Sequence, residues 1–116
     1  MQTIPRRNGG FPMLDKTKAR QIAIDYTEVI KEALNPMRVI FFGSYVNGNP
    51  HEYSDIDIAV VLNDFQGDWH ETATLLYRLR RNVSIDIEPH LMDAQHDPSG
   101  FLEHIMKTGE IIYEAA

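Results

Sequence analysis

Two short apolar runs, Val39-Ile40-Phe41-Phe42 and Ile56-Asp57-Ile58-Ala59-Val60-Val61-Leu62, bracket a segment that opens on Gly43-Ser44 and closes on Ser54-Asp55. Each run is β-prone and too short for an ordinary helix, so the pair predicts two strands joined through a glycine-bearing connection. The polar residues of that connection therefore fall at strand ends. In the second strand, about Asp55 to Leu62, alternation puts Asp55, Asp57, Ala59 and Val61 on one face and Ile56, Ile58, Val60 and Leu62 on the other. A charge at Asp57, inside an apolar strand, is costly unless the residue lies at an exposed end or binds a metal.

The remaining chain reads as support for this pair. Asp15 is placed to cap a helix that carries Ala19, Ile22, Ala23, Tyr26, Ile30, Ala33 and Leu34 at spacings of three and four, ended by Asn35-Pro36. The first strand runs from about Arg38 to Phe42, and Ser44 is placed to cap a helical turn that stops near Gly48. A second long helix is predicted from about Trp69 to Asn82, with Arg78, Arg80 and Arg81 complementing the dipole at its last turn. Ser84 to Glu88 alternates in strand fashion, with Asp86 and Glu88 on one face, and Pro89 is expected to stop it. Asp97-Pro98 reads as an N-cap and first helical residue, opening a helix through Phe101, Leu102, Ile105 and Met106 to Gly109. Ile111-Ile112-Tyr113 makes a short final strand, while Tyr26, Trp69 and Phe101 fit core stripes.

A chain of 116 residues has room for one core, which predicts a single domain over 14–116 behind a loose tail at 1–13. That tail carries Arg6 and Arg7 but no apolar stretch of the secretory kind. No apolar run approaches the roughly 20 residues that span a bilayer, so a soluble, cytoplasmic protein without membrane contact is expected. The absence of cysteine excludes disulfides, thiolate metal sites and thiol nucleophiles. A net charge of -6 argues against broad nucleic-acid binding, although divalent metal can still bring a nucleotide's phosphates to an acidic protein. His51, His70, His90, His96 and His104 show no metal-ligand spacing, and no zinc site is expected.

Two carboxylates one residue apart on a strand point the same way, so Asp55 and Asp57 can converge on one small hard cation. Gly43 permits a tight exit from the preceding strand, and Ser44 with the following backbone N–H groups can form an anion site. A phosphate cradle beside paired carboxylates is the equipment of metal-assisted phosphoryl or nucleotidyl transfer. Gly43-Ser44, ten intervening residues, then Asp55-Ile56-Asp57, with Gly48 and Ser54 inside, resembles the signature of the polymerase-β-like nucleotidyltransferase superfamily, above all its minimal nucleotidyltransferase branch. The likeness runs from the leading helix to the C-terminus. It implies that Asp55 and Asp57 bind two Mg2+ ions (Mn2+ being an alternative) that carry a nucleoside triphosphate, ATP in the first instance. A third carboxylate comes from a later strand: Asp86 by position, with Glu88 on the same face as the alternative. Gly43, Ser44 and Ser54 are then the nucleotide-binding residues. Asn47 stands where this family commonly has arginine, a departure that bears on a phosphate or acceptor contact and leaves the metal ligands intact.

The motif constrains topology as well. Ser44 can meet Asp55 and Asp57 only if the first two strands are antiparallel, and Asp86 can join them after a helical crossover only if the second and third are parallel. The predicted fold class is therefore α/β (α+β), a mixed sheet of about four strands with helices packed on it. The implied activity moves a nucleoside monophosphate, AMP from ATP, onto a hydroxyl of a partner protein or small molecule. In the minimal branch the partner is typically a HEPN-type helical protein in a toxin-antitoxin pair, which makes this chain a candidate antitoxin, with a homo-oligomer also compatible. Leu102, Ile105 and Met106 are candidates for core or for such an interface. His51, within the loop, reads first as a solvated histidine and second as a phosphate contact, while Tyr45 and Tyr53 flank the site as candidates for packing across the loop or for stacking on a base. The alternative is a non-enzymatic antitoxin, or nucleotide-binding module, that acts by covering its partner.

Overall fold

The computed structural model describes residues 15–48, 50 and 55–116. The expectations for Ser54, His51 and Tyr53, and for a tail over 1–13, lie outside the described residues. The elements are α1 (Lys16–Ala33), β1 (Arg38–Phe42), α2 (Ser44–Asn47), β2 (Ile56–Leu62), α3 (Trp69–Leu79, followed by a turn of 3₁₀ helix over Arg80–Asn82), β3 (Ile87–Asp93), α4 (Phe101–Thr108) and β4 (Glu110–Glu114). The strands form one four-stranded sheet in the order β3-β2-β1-β4. β1 is antiparallel to β2 and to β4, and β2 is parallel to β3, the mixed sheet that the motif required.

Alternation along β1 and β2 divides the core between the two faces of the sheet. Val39, Phe41, Ile56, Ile58 and Val60 pack with Ala19, Ala23, Tyr26 and Ile30 of α1 and Leu76 of α3. Ile40, Phe42, Ala59 and Val61 face Leu102 and Ile105 of α4, which assigns those two helix residues to the core. Asp15 caps α1 as expected, its carboxylate accepting from the Lys18 N–H at 2.8 Å. Thr27, buried mid-helix, satisfies its hydroxyl on the Ala23 carbonyl at 2.7 Å, and the Tyr26 hydroxyl donates to the Leu76 carbonyl at 2.7 Å, tying α1 to α3. Burial pushes the Tyr26 phenol well above its ordinary range, against a smaller pull from Arg80.

Three local expectations are corrected. Strand β3 covers Ile87–Asp93 rather than Ser84 to Glu88, and Pro89 lies inside it, paired with Ile58. Among the described residues β3 is an edge strand with a neighbour on one side only, so a missing donor is tolerated there. Residues 84–86 form a turn instead, held by Arg80 Nη1, which donates to the carbonyls of Ile85 at 3.3 Å and Ile87 at 2.8 Å. Helix α4 begins at Phe101, after Gly100 at φ 75°, three residues later than Pro98 suggested. Asp97 still caps it, from a distance: its two carboxylate oxygens accept from the N–H groups of Leu102 and Glu103 at 3.0 and 3.1 Å. In α2, Gly43 rather than Ser44 takes the cap position, its carbonyl receiving Val46 N–H at 3.0 Å and Asn47 N–H at 2.9 Å.

Candidate active site

The register of the sheet assembles the site. Phe42, the last residue of β1, pairs with Asp57 across the antiparallel ladder, and Asp57 pairs with Glu88 across the parallel one. One step further along β3, His90 stands opposite Ala59, whose small side chain leaves the imidazole room. Residues two apart on a strand share a face, so Asp57, Glu88 and His90 all project on the α4 side of the sheet. Each offers one ligand atom, and these atoms lie within 4.8 Å of one another.

Contacts within the group are specific. His90 Nε2 is 3.0 Å from Asp57 Oδ1, and the Phe42 ring backs the imidazole at a centroid distance of 5.1 Å. Gly43 crosses directly over the other carboxylate oxygen at φ 91°: a Cβ there would collide with Asp57 Oδ2 and stand 3.2 Å from Cγ. The conformational freedom of glycine is thus used to bring backbone against a carboxylate. Burial pushes the Glu88 carboxyl above its usual range; His90 opposes this, while Asp57 and Asp55 add to it. Asp55 stands close enough to Glu88 to be among the causes of that rise. Acidic groups gathered this closely favour a cation among them, and their oxygen donors suit a hard divalent ion. The residues present therefore fit the metal that the sequence implied.

Several expectations for the site change here. Asp86 precedes β3, in the turn, and is not in the metal-capable group, whereas Glu88, the second candidate, is at its centre. The displacement follows from the strand bounds: with Ile56 paired to Ile87, it is Glu88 that registers with Asp57. Asp55 is exposed just ahead of β2 and reaches the group through Glu88. His90 was missed, and the reading of the histidines as lacking metal company is corrected for it. The only sequence signal was the two-residue step from Glu88, hidden by the assumption that Pro89 ends the strand. Tyr45 is buried in the core and unavailable to a base, whereas Trp69 and Phe101, read as core, are each 43% exposed. The last two line a cleft of about 690 Å3 between β3 and α4, together with His90, Met92, His96 and Asp97, so His90 borders both the carboxylates and the cleft.

Fold and site together define a class: small mixed-sheet domains that gather acidic side chains at neighbouring strand ends beside a glycine turn. The model of the polymerase beta nucleotidyltransferase family matches residues 25–116, and the chain belongs to that family. Among solved structures it is similar to a candidate nucleotidyltransferase from Sulfolobus solfataricus, with 18% identity, a TM-score of 0.64, and coverage of 85% of this chain and 83% of that one. It is also similar to a mutant of the toxin-antitoxin MntA-HpeT, with 20% identity, a TM-score of 0.54, and coverage of 88% and 75%. At such identities the likeness concerns the fold. No curated protein is significantly similar in sequence. Among the described residues no helix is long and apolar enough to cross a membrane.

Proposed function

We propose that the chain is a metal-dependent nucleotidyltransferase that moves a nucleoside monophosphate, AMP from ATP, onto a hydroxyl of a partner protein. The observation that carries this reading is the convergence of Asp57, Glu88 and His90 within 4.8 Å, with Asp55 beside Glu88 and Gly43 laid against Asp57. In the transfer, the acceptor oxygen bonds to the α-phosphorus, the bond from that phosphorus to the β-bridging oxygen breaks, and pyrophosphate leaves. Asp55, Asp57 and Glu88 are the carboxylates that would hold Mg2+, which when bound neutralises phosphate charge and polarises the reacting phosphorus. Glu88, the third carboxylate of the group, is also assigned to take the acceptor's proton. Gly43, Ser44 and Ser54 are assigned to the triphosphate.

The fold of MntA-HpeT, a toxin-antitoxin, and the resemblance to the minimal branch support a HEPN-type helical partner as acceptor, with this chain as the antitoxin. The test is incubation with Mg2+ and α-labelled ATP, with and without a co-purified partner, beside the Asp55→Ala plus Asp57→Ala double variant. Label should pass to the partner and be lost with the two carboxylates. Transfer that survives the double substitution removes these residues from the chemistry. Tight partner binding with no transfer from the wild type favours the non-enzymatic antitoxin.

A further inference from the structure

We infer that His90 supplies a nitrogen ligand to the metal, so that the site prefers a first-row transition ion such as Co2+ over Mg2+. The inference rests on the metal-binding reading above and goes beyond it by naming a ligand and an ion class. Three observations carry it. The first is a distance. Two donors held about 2.1 Å from one ion at right angles to each other lie about 3.0 Å apart. His90 Nε2 and Asp57 Oδ1 are 3.0 Å apart, the edge of such an octahedron, and Glu88 offers a third ligand atom within 4.8 Å of both. In this arrangement a cation replaces the proton of the hydrogen bond without moving either residue apart.

The second observation is the direction of the imidazole. Its Nε2 meets the carboxylate oxygen Asp57 Oδ1 itself, while Gly43 lies against the other oxygen, Oδ2. The third is fixation of the ring: Phe42 tilts against it at 60° and in turn meets Phe101 edge-on at 5.8 Å, so packing sets the imidazole plane. Mg2+ takes oxygen donors and dehydrates reluctantly, whereas imidazole suits the later first-row ions. A set of two carboxylates and one imidazole therefore tilts affinity away from Mg2+ toward those ions, and this follows from one residue that the paired carboxylates alone do not include.

The competing role is purely orienting: His90 donating a hydrogen bond to Asp57 and never touching metal, as outer partners of ligands do. The experiment separates the two with calorimetric titrations of Co2+ and Mg2+ into the wild type and His90→Gln, which keeps a hydrogen-bonding group at the Nε2 position. Proton NMR of the Co2+-loaded proteins adds a direct readout, since a bound imidazole gives a strongly shifted, solvent-exchangeable N–H resonance. Circular dichroism confirms that the variant is folded, and His90→Phe serves in its place if Gln is not. A ligand role predicts that resonance in the wild type alone, a Co2+ affinity lowered by about 100-fold, and a Mg2+ affinity changed by less than about threefold. Affinities for both ions falling in parallel, with no shifted resonance in the wild type, would reduce His90 to an orienting residue. A shifted resonance that survives the substitution would assign the nitrogen to another histidine. Failure of the wild type to bind either ion would remove the metal site altogether, and the proposed activity with it.

Discussion

Replacing Gly43 by alanine should damage the site more than the fold. The residue sits at φ 91°, ψ -158°, a region that essentially only glycine adopts, and holding a side chain there costs about 1–3 kcal/mol. In a domain of this size each kcal/mol lowers Tm by about 4–8 °C, so a fall between about 4 and 24 °C is expected in a thermal melt. The added Cβ also overlaps Asp57 Oδ2, so the carboxylate that meets His90 Nε2 must shift. A displacement of about 1 Å in a catalytic group can cost on the order of 100-fold in rate, and metal affinity should drop with it. Gly100→Ala is the control: it too has a positive φ, of 75°, but a Cβ there meets nothing within 4 Å. That variant should lose about 1–2 kcal/mol and keep its metal. The assay is a Mn2+ titration followed by calorimetry beside each melt. A Gly43→Ala protein that binds Mn2+ as the wild type does would refute the close approach on which the site depends.

Other consequences are independent of that one. Glu88→Gln should lower label transfer from ATP by about 100-fold or more, whereas Asp86→Asn should stay within a few-fold of wild type, because only Glu88 lies in the metal-capable group. Tyr26→Phe removes the hydroxyl's bond to the Leu76 carbonyl, which keeps the Arg80 N–H, and should cost about 0.5–1.5 kcal/mol in urea unfolding. Because the folded-state pKa of Tyr26 is raised, its contribution is complete below about pH 10 and lost above, so the variant should show a flatter alkaline limb of stability against pH. Asp93 accepts backbone N–H groups from Gln95, Phe65 and Asp64, which hold its pKa below the usual carboxylate range. Its contribution is present above about pH 4 and disappears as pH falls through the lowered value; Asp93→Asn should flatten the acid limb.

The parts of this molecule that could be read in advance are those where local pattern and tertiary role coincide. β1 is Arg38–Phe42 as the apolar run indicated, and Asp15 caps α1, because each signal is complete within a few residues. Strand directions were readable too, since Ser44 could meet Asp55 and Asp57 only across an antiparallel pair, and a helical crossover makes the next strand parallel. What escaped was set by distant partners. Pro89 breaks a strand by local propensity, yet an edge position makes it harmless, and that position is a property of the whole sheet. The error moved β3 by three residues at its start, and with it the choice between Asp86 and Glu88. His90 acquires its meaning from Asp57, 33 residues away, through a parallel register that no local pattern encodes. Trp69 and Phe101 follow a helical stripe but fall at helix starts, where the core no longer covers them.

The claim that Asp57, Glu88 and His90 gather around one divalent ion is tested most directly by adding substoichiometric Mn2+ to 15N-labelled protein and mapping the broadened amides. The account predicts that Gly43, Asp57, Ile58, Glu88 and His90 lose their signals first, while Tyr113 in β4 and Lys31 in α1 keep theirs. Early loss centred instead on the Asp64, Asp68 and Asp93 corner, with Asp57 and Glu88 intact, would contradict it.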